Sequence, residues 1–266
     1  MVVDSVAAAA MLAAFGRAEG LRLPVLIEVD TDGHRAGVRP DNAALLLSIG
    51  RVLHDGAELA GVMTHGGGSY DRRSPVGLAE HAELERAGAV RAAETLRAAG
   101  LPCATVSVGS TPTALFARTL AGVTEVRVGV YVFFDLVMAG LGVCTRDEIA
   151  IAVLATVVGH QPERGLLIVD AGWMALSRDR GTATHPVDQG YGLVGDDEAL
   201  IVAAATQEHG MIARRDGGPL DLTRYPIGSQ LRILPNHACA TAAQHDRYHV
   251  VEGETVIAAW PRFGGW

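Results

Sequence analysis

Residues 104–113 read ATVSVGSTPT, a run rich in β-branched residues followed by a glycine, two hydroxyl residues and a proline. The run predicts a strand. Ser110, Thr111 and Pro112 predict a helix start, because hydroxyl groups cap free N–H groups and proline suits the first turn. Gly109 would let a ligand approach the backbone. The stretch therefore predicts a βα unit with an anion-binding turn, although an ordinary capped helix has the same pattern.

The same alternation of apolar runs and Ala-rich helical patterns continues on both sides of this stretch. It is typical of a parallel sheet covered by helices, so the predicted fold class is α/β. A closed barrel of this type needs eight strands, and residues 1–140 supply about five βα units, which predicts a partial TIM barrel. Predicted strands are residues 2–4, 23–29, 59–64, 104–108 and 125–133, and predicted helices are residues 5–19, 41–55, 75–99 and 112–120.

The later part of the chain has a different texture, with short strand patterns, turns and few helical stretches. We therefore predict two domains, a partial barrel at residues 1–140 and a mainly β domain at residues 141–266. Predicted strands of the second domain are residues 148–158, 166–170, 230–234, 247–251 and 255–260.

Composition restricts the possible partners. The formal charge of −8 argues against binding to a nucleic-acid backbone, which requires clustered positive charge. Apolar runs such as residues 149–158 are shorter than the roughly 20 residues that a membrane span needs. Three scattered cysteines do not suggest a disulfide framework. These features predict a cytoplasmic protein that contacts neither nucleic acid nor membrane.

His237 and Cys239 form a compact His-x-Cys pair. In an extended segment, side chains two residues apart leave the same face and can meet one ion. An imidazole and a thiolate suit Zn²⁺, and two protein ligands leave positions for water or substrate. The alternative is a structural histidine beside a cysteine that packs as a small apolar residue.

The segment around this pair resembles the zinc-binding segment of the D-serine dehydratase and D-threonine aldolase family. These are fold-type III pyridoxal-phosphate enzymes related to alanine racemase. Other segments along the chain resemble motifs of the same family in the same order, so the resemblance covers essentially all of the sequence. The matching segments are residues 28–38 (EVDTDGHRAGV), 63–70 (MTHGGGSY), 107–113 (SVGSTPT), 127–133 (RVGVYVF), 170–172 (DAG) and 235–243 (PNHACATAA).

The resemblance implies an alanine-racemase-like partial barrel, a pyridoxal-phosphate site at the ends of its strands, and Zn²⁺ held by His237 and Cys239. It also implies a homodimer. Arg127 would lie near the pyridine nitrogen of the cofactor. Asp32 departs from the family, which usually has glycine at that position. The residues expected to contact the cofactor are Gly109, Ser110, Thr111, Arg127, Gly129, Tyr131, His65 and Arg35.

The resemblance further implies a lyase that acts on a small β-hydroxy D-amino acid. A cysteine at the second metal position favours a D-serine dehydratase, which forms pyruvate and ammonia. The aldolases usually carry aspartate there, so retro-aldol cleavage of D-threonine is the alternative. A paralogue that binds zinc or a phosphate ligand without catalysis is a third possibility.

None of the 22 basic residues is a lysine. Family members attach the cofactor through a lysine amine at the end of the first barrel strand. No catalytic residue of that kind is therefore predicted in these 266 residues. An N-terminally truncated reading of a normal enzyme is the favoured expectation, and a short product without Schiff-base chemistry is the alternative.

Overall fold

The computed structural model describes residues 1–264, and the chain divides into two compact units after Gly129. The first unit contains a five-stranded parallel sheet whose strands follow one another in the order of the sequence. Its elements are β1 (Val2–Val3), α1 (Val6–Glu19), β2 (Pro24–Glu28), α2 (Ala43–Gly56), β3 (Glu58–Met63), a 3-10 turn (Gly67–Asp71), α3 (Pro75–Ala98), β4 (Thr105–Val108), α4 (Thr111–Phe116) and β5 (Glu125–Val126).

Helix α2 is stabilised by a cap at its first turn and by packing against this sheet. The side chain of Asn42 accepts a hydrogen bond from the Leu45 N–H and caps its first turn. Leu46, Ile49 and Leu53 recur at helical spacing and are fully buried. The same core includes alternating residues of β2, so one apolar layer joins the helices to the sheet.

Two predicted elements of this unit are wrong in length. The strand predicted at residues 125–133 contains only β5, because its pairing with β4 covers two residues. The helix predicted at residues 112–120 ends at Phe116. None of residues 117–120 is buried, so packing does not sustain another turn.

The second unit is built around a closed antiparallel barrel in the strand order β10-β7-β6-β11-β8-β9, accompanied by the hairpin β12-β13. Its strands are β6 (Val153–Gln161), β7 (Leu166–Val169), β8 (Gly192–Val194), β9 (Leu200–Ala205), β10 (Gly210–Arg214), β11 (Gln230–Pro235), β12 (Arg247–Glu252) and β13 (Thr255–Pro261). Its helices are α5 (Leu136–Gly140), α6 (Trp173–Leu176) and α7 (Ala238–Ala242), with 3-10 turns at Val130–Val132, Arg146–Glu148, Pro162–Arg164 and Leu222–Arg224.

The predicted α/β class, with a parallel-sheet domain followed by a mainly β domain, is confirmed. Sequence patterns missed β8, β9 and β10. The domain boundary at residue 140 stays a prediction, whereas the compact units divide after Gly129. Within residues 1–264, no helix is both long enough and apolar enough to cross a membrane.

Candidate functional site

In the first unit, the loops after β3 and β4 are joined by His65. Its Nδ1 lies 2.8 Å from the carbonyl oxygen of Gly109. Because a carbonyl oxygen only accepts, Nδ1 carries the proton and donates it. Burial and the positive charge of Arg35 lower the pKa of His65. The ring is therefore neutral near pH 7, and Nε2 is an acceptor.

Glu85 holds the same two loops from the helix side. One of its carboxylate oxygens accepts hydrogen bonds from the N–H of Gly66, at 2.6 Å, and from the N–H of Gly109, at 3.0 Å. The residue is only 2% exposed. Burying a carboxylate costs free energy unless it is hydrogen-bonded. Both donors to Glu85 belong to the loops that carry predicted cofactor contacts.

Glu85 was not among the predicted site residues, although its position in the sequence carries a signal. Leu78, Ala82, Ala89 and Ala92 are buried on one face of α3. Glu85 falls at the matching helical spacing, so a charged residue interrupts an apolar stripe. Such an interruption indicates a buried carboxylate with specific partners.

Arg127 follows β5 and reaches back along the ends of the strands. Its guanidinium donates to the Ser107 hydroxyl and to the Thr64 carbonyl, each at 2.5 Å. Burial lowers the pKa of Arg127 from its ordinary value, and the charge of Glu85 opposes that shift. The guanidinium of Arg127 is therefore fixed by hydrogen bonds to two neighbouring segments rather than free in solvent.

The turn predicted at Gly109 and Ser110 is present. Gly109 has φ +144°, and a Cβ there would clash with the carbonyl of Arg127, so glycine permits close approach of two backbones. The Ser110 side chain accepts from the Thr113 N–H, and the Thr113 side chain accepts from the Ser110 N–H. Ser110 is therefore confirmed as the N-cap of α4. Phosphate contacts by Gly109, Ser110 and the buried Thr111 stay predictions.

Asp32, the departure from the family motif, joins its own loop to the 3-10 turn after β3 and to helix α3. Its Oδ2 lies 3.0 Å from His81 Nε2 and accepts from the Gly68 N–H at 2.8 Å. Its Oδ1 accepts from the His34 N–H at 3.0 Å. Burial raises the pKa of Asp32, but these hydrogen bonds outweigh it and the pKa is lowered. Arg35 is exposed in the same loop.

Tyr131, one of the expected cofactor contacts, does not share a strand face with Arg127. The strand ends at Val126, and Tyr131 lies in the 3-10 turn Val130–Val132 with 44% exposure. Gly129 is exposed at the end of the first unit.

In the second unit, His237 and Cys239 occupy different backbone conformations. His237 is extended, with φ −136°, and is the N-cap of α7, whereas Cys239 is exposed within α7. The extended backbone that would place both side chains on one face is thus present at His237 and not at Cys239. The helix begins here because the buried carboxylate of Asp135 accepts from the Ala238 N–H at 2.9 Å.

The two side chains nevertheless interact, and His237 also has an acidic partner. Its Nδ1 donates to Oδ2 of Asp179 at 2.7 Å. Hydrogen bonds to Asp179 and Cys239 raise the pKa of His237 to about 10. A histidine held by a carboxylate at one nitrogen, with a thiol beside it, is a typical metal-binding arrangement.

This donor set fits a borderline-soft divalent ion such as Zn²⁺, with Nε2 of His237 and the sulfur of Cys239 as protein ligands. Across residues 1–264, no group of three His, Cys, Asp or Glu side chains is arranged to hold a metal.

Both halves of the chain match known domain families. Residues 1–137 match "Alanine racemase, N-terminal domain", and residues 150–251 match "Putative serine dehydratase domain".

Three relatives illustrate the similarity. D-threo-3-hydroxyaspartate dehydratase from Delftia sp. (strain HT23) is 57% identical over all of this chain and 72% of the enzyme, and its structure superposes with a TM-score of 0.96. D-serine dehydratase from Dictyostelium discoideum is 35% identical over 88% of this chain and 62% of that enzyme. An alanine racemase-like protein from Idiomarina loihiensis is 43% identical over all of this chain and 71% of that protein, with a TM-score of 0.92.

Solved structures of the Delftia enzyme include a cysteine-to-alanine mutant in a metal-free form and an alanine mutant of a histidine two positions earlier. The chain spans 72% of the Delftia enzyme and 62% of the Dictyostelium enzyme. It belongs to the D-serine dehydratase and D-threonine aldolase family of fold-type III pyridoxal-phosphate enzymes, which have an alanine racemase-like N-terminal domain.

Proposed function

We propose that this chain carries the metal site and non-covalent cofactor contacts of a lyase that removes water from a β-hydroxy D-amino acid. The observation that carries the proposal is His237, which is held by Asp179 and lies beside Cys239. The same two residue types at the same spacing were mutated in the Delftia enzyme, whose cysteine mutant is metal-free in one structure.

The metal would act as a Lewis acid on the substrate hydroxyl, which is otherwise a poor leaving group. His237 and Cys239 would hold it, and Asp179 would orient the imidazole. Pyridoxal phosphate supplies an electron sink in enzymes of this family. Arg127 would place a fixed positive charge beside it, and the neutral His65 would offer Nε2 as an acceptor.

The described residues fit the cofactor only in part. The turn at Gly109 to Thr111, together with His65 and Arg127, supplies groups suited to non-covalent contacts. Covalent attachment requires an amine, and the sequence contains no lysine. A Schiff base to a lysine of these 266 residues is therefore impossible.

For the substrate, we propose a β-hydroxy D-amino acid with a second carboxylate, such as D-threo-3-hydroxyaspartate, in preference to D-serine. The support is the greater similarity to the dehydratase of that name, 57% identity against 35% for a D-serine dehydratase. Loss of water followed by hydrolysis of the resulting enamine would give oxaloacetate and ammonia.

The test is ammonia release by the protein produced from its complete gene, assayed with each substrate and with a chelator. We expect faster turnover of D-threo-3-hydroxyaspartate than of D-serine, loss of activity with the chelator, and recovery with Zn²⁺. Glycine formation from D-threonine would instead identify an aldolase. An inactive protein that binds zinc would support the non-catalytic alternative.

A further inference from the structure

We infer that Asp179 is a positioning residue that selects Nε2 of His237 as the metal-binding nitrogen. The inference rests on the proposed function, because it concerns the same site. Oδ2 of Asp179 accepts from His237 Nδ1 at 2.7 Å. A carboxylate accepts only, so Nδ1 is committed to Asp179 and Nε2 is the nitrogen left for a metal.

The carboxylate of Asp179 is itself fixed by its own loop. Its Oδ1 accepts from the Gly181 N–H at 2.7 Å, and its backbone N–H donates to the Ser177 hydroxyl at 3.2 Å. Ser177 is buried and has φ +76°, a backbone conformation that is strained for a non-glycine residue. Such strain persists only where surrounding contacts determine it, so the loop is built to hold one conformation.

Two further hydrogen bonds join this loop to the His-x-Cys segment on either side of the ion pair. The Thr241 hydroxyl donates to the Leu176 carbonyl at 2.7 Å. The Thr182 hydroxyl donates to the Asn236 side-chain oxygen at 2.5 Å. Since both lie among buried groups, they fix the two backbones relative to each other without help from Asp179.

This arrangement separates two roles. The flanking hydrogen bonds keep the segments together, whereas Asp179 orients one imidazole. The His237 side chain is 40% exposed, so packing alone leaves the ring able to rotate. Removing the carboxylate should therefore weaken metal binding far more than it weakens the fold. Loss of an outer partner of a metal-bound histidine raises the dissociation constant about 10- to 100-fold.

The test compares Zn²⁺ dissociation constants, measured by competition with a chromogenic chelator, and denaturant-unfolding midpoints. Asp179→Ala is expected to raise the dissociation constant about 10- to 100-fold while the metal-free midpoint stays close to wild type. Asp179→Asn keeps an oxygen that accepts from Nδ1–H and should recover part of the affinity. Asp147→Ala, at an exposed aspartate of the same unit, is the control and should bind like wild type.

Metal affinity in Asp179→Ala within twofold of wild type would overturn the inference, as would equal loss in Asp179→Asn and Asp179→Ala. If wild type itself binds no Zn²⁺, the inference and the proposed metal site fail together. If Asp179→Ala loses affinity but the wild-type protein turns over no β-hydroxy D-amino acid, the inference stands and the proposed function fails.

Discussion

Glu85→Ala is expected to lower the free energy of unfolding of the first unit by about 3–5 kcal/mol, because it removes one partner from a buried charged network. The substitution leaves the N–H groups of Gly66 and Gly109 without their acceptor, and each buried unsatisfied donor costs about 1–3 kcal/mol. Arg127 also loses a nearby negative charge that favours its charged form. Denaturant unfolding monitored by circular dichroism measures the difference.

Glu85→Gln separates the hydrogen bonds from the charge. Its amide oxygen can still accept from both N–H groups, so a loss of about 1–2 kcal/mol is expected, as for a weakened but retained hydrogen-bond pair. Glu80→Ala, at an exposed position of the same helix, should stay within about 0.5 kcal/mol of wild type. If Glu85→Ala and Glu80→Ala behave alike, Glu85 does not hold the two loops.

Asp135→Ala is expected to cost about 2–4 kcal/mol and to weaken metal binding as well. The carboxylate is 1% exposed, caps α5 through the Met138 N–H at 2.9 Å, and accepts from the Ala238 N–H at 2.9 Å. The substitution leaves two buried N–H groups without an acceptor, which costs about 1–3 kcal/mol each. Removing a buried charge offsets part of this destabilisation. Because Ala238 lies between the two proposed metal ligands, Zn²⁺ affinity should fall together with stability.

The raised pKa of Asp135 predicts how the stability difference between wild type and Asp135→Ala changes with pH. Burial raises the pKa of Asp135 above its ordinary value, although the N–H groups of Met138 and Ala238 oppose the shift. Between the unfolded pKa, near 3.8, and the raised folded pKa, the folded state binds more protons, so the contribution of Asp135 to stability falls as pH rises. The stability gap between wild type and Asp135→Ala should therefore widen as pH is lowered through this window. Asp135→Asn has no carboxyl group that titrates in this window. If the stability difference between wild type and Asp135→Ala narrows on acidification, the pKa of Asp135 is not raised in the folded state.

Local sequence patterns were sufficient to predict the α/β fold class and the ends of several helices and strands. The strand ending at Val108, the N-cap at Ser110 and the long helix from Pro75 all depend on residues close in sequence. Strands β8 to β10 were missed because they are stabilised by pairing within a closed barrel, which a short window of sequence does not contain. The helical conformation of Cys239 was missed because Asp135, about a hundred residues earlier, fixes the start of α7.

The residues of the candidate site likewise fall into those that a local sequence motif predicts and those that it does not. The proposed metal pair His237 and Cys239 was recognisable because only Ala238 separates its members in sequence. Asp179 was not, since 58 residues separate it from His237. Glu85 reaches Gly66 and Gly109 from a different element of the fold. Residues that support a site from distant parts of the chain leave no local motif, apart from the interruption of an apolar stripe by Glu85.

Calorimetric titration of the chain with Zn²⁺ measures directly whether one divalent ion binds at His237 and Cys239. Wild type is expected to bind one Zn²⁺ per chain. His237→Ala and Cys239→Ala should each weaken binding at least about 100-fold, as expected when one of two protein ligands is lost. Cys144→Ala is the matched control, because burial raises the pKa of that thiol to about 12. Zn²⁺ binding that survives both substitutions, or an absence of binding by wild type, would contradict the assignment of a metal site to His237 and Cys239.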